Sequence, residues 1–181
     1  MNEKELGRKG KYMSLLLRHN PEKESLEMNK QGYVKVSQLC SALNISTEEL
    51  DWIVENNNKK RFEFFNYKKM IRATQGHSFK IDYGYVPVEP PNRLYHGTTY
   101  DNYLKINNNG LLKMNRQHVH LSDNLATAKQ VGLRHAKNEG NLWIIEIRTN
   151  DMHKDGYGFY LSSNNVWLTD TVPSKYFKNE S

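Results

Sequence analysis

The sequence predicts an α+β protein built as two lobes, and three observations carry that expectation. Up to about residue 58, apolar side chains recur at helical spacing between clear stop signals. Residues 85–92 hold three of the chain's five prolines, which favour extended backbone and mark a linker. From residue 93 onward, short alternating and apolar runs read as strands with helices between them. The expected division is residues 1–84, a linker at 85–92, and residues 93–181.

In the first lobe a helix is expected over about residues 4–19, with Tyr12, Leu15, Leu16 and His19 at helical spacing. Pro21 stops it. Asn29-Lys30-Gln31-Gly32 is a turn, and Tyr33-Val34-Lys35-Val36 alternates like a strand. Ser37 is expected to cap a helix running to Leu43. Ser46-Thr47-Glu48-Glu49 has capping-box spacing and opens a helix with Leu50, Ile53 and Val54. Arg61–Phe65 and Lys68–Arg72 read as two strands around a turn at Asn66-Tyr67. Helices followed by a hairpin point to a winged-helix module.

The second lobe is expected to run as strand Arg93–Thr99, helix Asp101–Asn107 and strand His118–Ser122. Helix Asn124–Lys137, capped by Ser122 or Asp123, follows. A buried strand Asn141–Arg148 comes next, then short strands at Tyr157–Leu161 and Val166–Thr169.

At 181 residues the chain is long enough for a substantial core. Its mean hydropathy is low, at −0.84, but eleven Tyr, six Phe and three Trp can anchor packing. A net charge of +6 favours a polyanionic partner. Cys40 is the only cysteine, which excludes an internal disulfide and any cysteine-based metal cluster. The start, Met1-Asn2-Glu3-Lys4-Glu5, lacks an apolar signal core, and no stretch has the length of a membrane span. The expected setting is a reducing cytoplasm, without membrane association.

The chemistry-bearing residues lie in separated segments. Arg18-His19 ends the apolar run Leu15-Leu16-Leu17. Arg72 leads into Gln75-Gly76-His77-Ser78, a polar turn rich in donors. Arg134 sits in Val131-Gly132-Leu133-Arg134-His135. Three arginines and a histidine form a set suited to phosphate, because a planar guanidinium binds phosphate through two bonds and stays charged. Within residues 59–72, Lys59, Lys60, Arg61, Lys68, Lys69 and Arg72 meet only Glu63. That strip fits either contact with a nucleic-acid backbone or lysine protection of a sheet edge. His118 and His120 share a strand face and could hold zinc with His96, but no acidic or cysteine ligand neighbours them.

An ordered set of motifs carries a resemblance over residues 10–177. It comprises Leu16-Leu17-Arg18-His19, Gly32-Tyr33-Val34, Ile71-Arg72-Ala73 with Gln75-Gly76-His77-Ser78, and Tyr95-His96-Gly97-Thr98. His118-Val119-His120-Leu121-Ser122, Val131-Gly132 with Arg134-His135, Val166-Trp167-Leu168-Thr169 and Val172-Pro173 with Lys175-Tyr176 complete it. The chain resembles the RNA 2′-phosphotransferases. The resemblance implies a winged-helix N-terminal lobe, a C-terminal lobe with the ADP-ribosyltransferase fold, NAD⁺ as cosubstrate and no metal. It implies an RNA 2′-phosphate that attacks the NAD⁺ ribose and is then released as ADP-ribose 1″,2″-cyclic phosphate.

The same resemblance assigns catalysis to Arg18, His19, Arg72 and Arg134. His19 bonds to a phosphate or ribose hydroxyl, or transfers a proton; the sequence does not choose. His96, Gly97, Thr98 and Ser122 are the expected NAD⁺ contacts, with Gly97 admitting close backbone approach. Gln75, His77, Ser78 and Lys69 are the expected contacts to the RNA phosphate. The late glutamate of protein-modifying ADP-ribosyltransferases has no counterpart at Asn164-Asn165-Val166-Trp167, and Glu139, Glu146 and Glu180 fall in no matching motif. A phosphate nucleophile is already anionic and needs less activation, so that absence agrees with a phosphate acceptor. The expected partner is RNA carrying a 2′-phosphate, and the expected state a monomer. Two other readings fit the same residues: an ADP-ribosyltransferase that caps a terminal phosphate of nucleic acid, and a non-catalytic RNA- or nucleotide-binding module.

Overall fold

A computed structural model describes residues 2–136 and 139–178. Glu180 and the expected helix end at Lys137 lie outside them. The chain forms a mixed α/β structure of two compact units, Met1–Gly84 and Tyr85–Ser181.

The first unit begins with α1 (Glu3–His19), opened by a capping box in which Asn2 and Glu5 satisfy each other's amides. Its buried face is Leu6, Met13, Leu16 and Leu17. Leu15, expected on the apolar side, is instead exposed, and so is His19. The helix therefore packs through a stripe rotated away from the anticipated one, and its last turn carries His19 into solvent.

β1 (Val34–Lys35) leads into α2 (Val36–Leu43), and α3 is Thr47–Glu55. Ser46 caps α3 through its expected exchange with Glu49. Ser37 does not cap α2. The cap position is Lys35, which makes no side-chain bond, and the carbonyl of Lys69 accepts from the Val36 amide at 3.0 Å. That bond ties the start of α2 to the hairpin loop.

β2 (Phe62–Phe65) and β3 (Met70–Ala73) form the hairpin, and β1 joins the other side of β3. The connection spans residues 66–69 rather than the expected two-residue turn. Asn66, Tyr67 and Lys68 all have positive φ, at 52°, 52° and 62°. This loop sets Phe65 opposite Met70 and Glu63 opposite Arg72. Val34, Ile71 and Phe64 turn to the core shared with α1, α2 and α3; Lys35, Met70, Phe65, Glu63 and Arg72 turn to the other face.

In the second unit, β4 (Arg93–Thr99) leads into α4 (Tyr100–Asn109), and β5 is Leu111–Leu112. β6 (Val119–Leu121) precedes α5 (Leu125–Leu133) and β7 (Leu142–Arg148). α6 (Thr149–Lys154), β8 (Tyr160–Leu161), β9 (Trp167–Thr169) and β10 (Thr171–Val172) complete it. β4 pairs antiparallel with β7 along seven residue pairs. β9 lies between β6 and β8, and β5 pairs with β10.

Three expectations change here. Asn124, not Ser122 or Asp123, caps α5 by accepting from the Thr127 amide at 3.1 Å. α5 ends at Leu133, so Arg134 is its C-cap. β7 is only partly buried, with Ile145 and Ile147 inside and Leu142, Trp143 and Ile144 half-buried. Residues 85–92 run extended against this unit: the Val88 amide donates to the Phe159 carbonyl at 2.8 Å, and the Thr149 hydroxyl donates to the Pro91 carbonyl.

Among the described residues no helix is long and apolar enough to cross a membrane.

Candidate active site

In the first unit the structure gathers Arg18, His19, Arg72 and His77. The Ser78 amide and hydroxyl both donate to the Arg18 carbonyl, at 2.9 and 3.3 Å. This pins the 75–78 turn to the last turn of α1. Gly76 makes the turn with φ of 90°.

Arg72 is the most constrained of the set, at 7% exposure. Its Nε donates to Glu63 at 2.6 Å, and its Nη1 donates to the carbonyls of Gln31 and Tyr83 at 2.9 and 3.3 Å. The guanidinium carbon lies 4.5 Å from the Tyr33 ring centroid and 6.0 Å from that of Tyr83. Ion pairing, carbonyl bonds and ring stacking together hold one orientation of the fork.

His77 is fully buried. Its Nδ1 shares a 2.6 Å hydrogen bond with the Tyr83 hydroxyl, and its Nε2 has no hydrogen-bond partner. Burial pushes its pKa down to about 3, and the charges of Arg18, Arg72 and His19 press in the same direction. His77 is thus a neutral ring set among cations. Gly32 lies against it, a glycine by its backbone with φ of +83°; a Cβ there would come 3.4 Å from the His77 Nε2. Gln75 is half-buried beside this turn. Lys69 lies apart from it, in the hairpin loop ahead of β3.

In the second unit, His96, Gly97 and Thr98 lie on β4 and face β7 in the register His96 to Ile145, Gly97 to Ile144 and Thr98 to Trp143. The His96 Nδ1 bonds the His120 carbonyl at 3.0 Å. Only a protonated Nδ1 can donate to a carbonyl, so Nε2 is left as the acceptor. Burial holds the His96 pKa below its ordinary value, which keeps the ring neutral.

Gly97 admits a close backbone approach, and here it is that of α5. A Cβ there would lie 1.9 Å from the Ala128 carbonyl oxygen and 2.9 Å from the Gly132 amide nitrogen. The space beside Gly97 is filled by α5, so the glycine serves strand-to-helix packing. Ser122 exchanges both backbone bonds with Tyr95, and its hydroxyl closes the turn onto Asn124. This turn starts α5, which ends at exposed Arg134.

Arg116 lies 3.0 Å from the His120 Nδ1, and His118 packs its ring 5.8 Å from that of Tyr160. Among the described residues no group of three or more His, Cys, Asp or Glu side chains is placed to hold a metal ion. Glu146 pairs with Arg93 and Lys178, at 3.1 and 3.5 Å.

Sequence reasoning missed Glu63, Tyr33, Tyr83 and the Gln31 carbonyl as the holders of Arg72. The signal for Glu63 was present. A four-residue loop places it opposite Arg72, whereas a two-residue turn would have placed Arg61 there.

The sequence profile of the RNA 2'-phosphotransferase, Tpt1 / KptA family matches residues 4–171. The chain is 45% identical over 174 residues to a protein of Fusobacterium nucleatum, covering 93% of this chain and 96% of the relative. It is 44% identical to one of Flavobacterium johnsoniae over the full length of both, and 41% identical to one of Nostoc punctiforme over 98% of this chain and 99% of that one. Each of these relatives is named "Probable RNA 2'-phosphotransferase". Similarity on this scale, spanning both units, makes the chain a member of the RNA 2′-phosphotransferase family.

Proposed function

We propose that the protein removes an internal 2′-phosphate from RNA with NAD⁺ as cosubstrate, leaving RNA with a free 2′-hydroxyl, nicotinamide and ADP-ribose 1″,2″-cyclic phosphate. In this reading Met1–Gly84 is a winged-helix lobe for RNA and Tyr85–Ser181 an ADP-ribosyltransferase-like lobe for NAD⁺. The observation that carries it is the fixed, buried Arg72 guanidinium among Arg18, His19 and neutral His77. A cation held in place before the substrate arrives does not have to be reorganised as charge shifts on a phosphate, which is the most effective form of electrostatic catalysis.

NAD⁺ supplies an electrophilic ribose carbon and nicotinamide as leaving group. The residues of the second unit suit a dinucleotide: His96 presents an acceptor Nε2 to a hydroxyl or amide, and Arg116 and Arg134 bring positive charge. Arg18, Arg72 and Arg134 hold phosphate oxygens, and their largest effect falls on the second step, when the ribose 2″-hydroxyl attacks the phosphate. His19 hydrogen-bonds the phosphate or a ribose hydroxyl, or moves a proton there.

The test is to incubate a short RNA bearing one internal 2′-phosphate with the protein in chelator, with and without NAD⁺, and to weigh all products. Loss of the phosphate only with NAD⁺, with the cyclic phosphate appearing, is the expected result. RNA that retains ADP-ribose as the final product would favour a phosphate-capping transferase. No reaction by protein that binds NAD⁺ would overturn the reading.

A further inference from the structure

The outward face of the β1–β3–β2 sheet continues beyond Arg72. Two cross-strand rows lie on it, Glu63 opposite Arg72 and Phe65 opposite Met70, with Lys35 on the far side of Met70. Near Arg72 the face is closed by Tyr83 and the Gln31 carbonyl. Toward Phe65 it is open. Phe65 is 59% exposed, Met70 is half-buried and Lys35 is exposed. The Phe65 ring lies 5.3 Å from that of Tyr33, tilted by 37°, and the Tyr33 ring lies beneath the Arg72 guanidinium. One aromatic run therefore leads from the held cation to the sheet surface.

Phe65 is not used by the core of this unit, which Val34, Ile71 and Phe64 close on the opposite face, so its ring is available to a partner. The surroundings favour an anionic partner. Lys35 lies beyond Met70 on the same face, paired with Glu27 at 3.7 Å, and Lys69 is exposed in the adjoining loop, whereas Lys68 turns to Phe64 and Asp51. An open ring with a cation on the same face is a combination that suits single-stranded nucleic acid, since every base has a face that can stack.

We propose that Phe65, backed by Tyr33 and flanked by Met70 and Lys35, is a stacking platform for the base of an RNA nucleotide next to the 2′-phosphate. This rests on the reading of the first unit as the RNA lobe. The platform sets how single-stranded RNA is engaged and takes no part in the chemistry at the phosphate.

The test places 2-aminopurine beside the single 2′-phosphate of a short RNA and titrates it with protein in the absence of NAD⁺. Stacking quenches the fluorescence. Wild-type protein and Phe65→Tyr quench it, while Phe65→Ala binds about tenfold more weakly, the usual scale for one base on one ring, and quenches little. Phe65→Leu keeps the bulk without the π-face and behaves like Phe65→Ala. Wild-type binding and quenching by Phe65→Ala, or by Phe65→Leu, would overturn the proposal. So would a turnover assay with NAD⁺ in which Phe65→Ala keeps the wild-type KM. If wild-type protein leaves the 2′-phosphate in place with NAD⁺ yet quenches through Phe65, the platform stands and the proposed reaction falls.

Discussion

Arg72 and Arg134 are held in opposite ways. Arg72 is 7% exposed and bonded through two of its nitrogens to Glu63, Gln31 and Tyr83. Arg134 is exposed at the end of α5, where its backbone closes the helix. The first has lost its conformational freedom during folding. The second keeps its freedom, and a long side chain gives up as much as about 2 kcal/mol when it is fixed. One residue type thus stands differently in the two units: in the first as part of the structure, in the second as an exposed side chain at a helix end.

Replacing each arginine by lysine should break the comparison most sharply. Arg72→Lys keeps the charge but loses the fork, leaving Glu63 and two carbonyls without their donors. Turnover of 2′-phosphate RNA is expected to fall about a hundredfold or more, and stability by about 2–4 kcal/mol in urea denaturation. Arg134→Lys should also lower turnover, while stability stays within about 0.5 kcal/mol of wild type. Equal stability losses in the two variants would erase the distinction.

A second contrast lies between glycines. Gly97→Ala drives a Cβ into the Ala128 carbonyl, and the second unit should lose about 3 kcal/mol as β4 and α5 separate. Gly7 in α1 has nothing within 4 Å of its would-be Cβ. Gly7→Ala should raise the stability of the first unit by about 1 kcal/mol, a smaller effect and of opposite sign. Chemical denaturation of both variants checks the pair.

Between these in size is the pH response. The folded pKa of His77 is about 3 against an ordinary 6.5, so the unfolded chain binds the extra proton first. The stability His77 contributes is present above pH 6.5 and is lost as pH falls from there toward 3, with a slope of at most about 1.4 kcal/mol per pH unit. His96, lowered chiefly by burial, acts in the same direction in the second unit. Ring ¹⁵N shifts should show the His77 imidazole still neutral at pH 5; a midpoint near 6.5 would contradict the buried placement.

Local chemistry was legible in the sequence wherever neighbours in the chain decide it. The Ser46–Glu49 capping box, the stop after His19 and the Arg18-His19 position at a helix end follow from adjacent residues. Features set by distant parts of the chain were not legible. The first amide of α2 is bonded to the Lys69 carbonyl, the space at Gly97 is taken by α5, and the partners of Arg72 come from a loop, a strand and a turn. The hairpin register was missed because three consecutive non-glycine residues adopt positive φ, which residue preferences disfavour. That slip hid Glu63 as the partner of Arg72.

The central claim is that the preset Arg72 acts on the RNA phosphate. A single-turnover reaction of Arg72→Lys with 2′-phosphate RNA and NAD⁺, with the RNA followed by mass, tests it most directly. The account predicts that RNA carrying ADP-ribose on its 2′-phosphate accumulates, where wild-type protein passes on to free 2′-hydroxyl RNA. Conversion to 2′-hydroxyl RNA at the wild-type rate would contradict it.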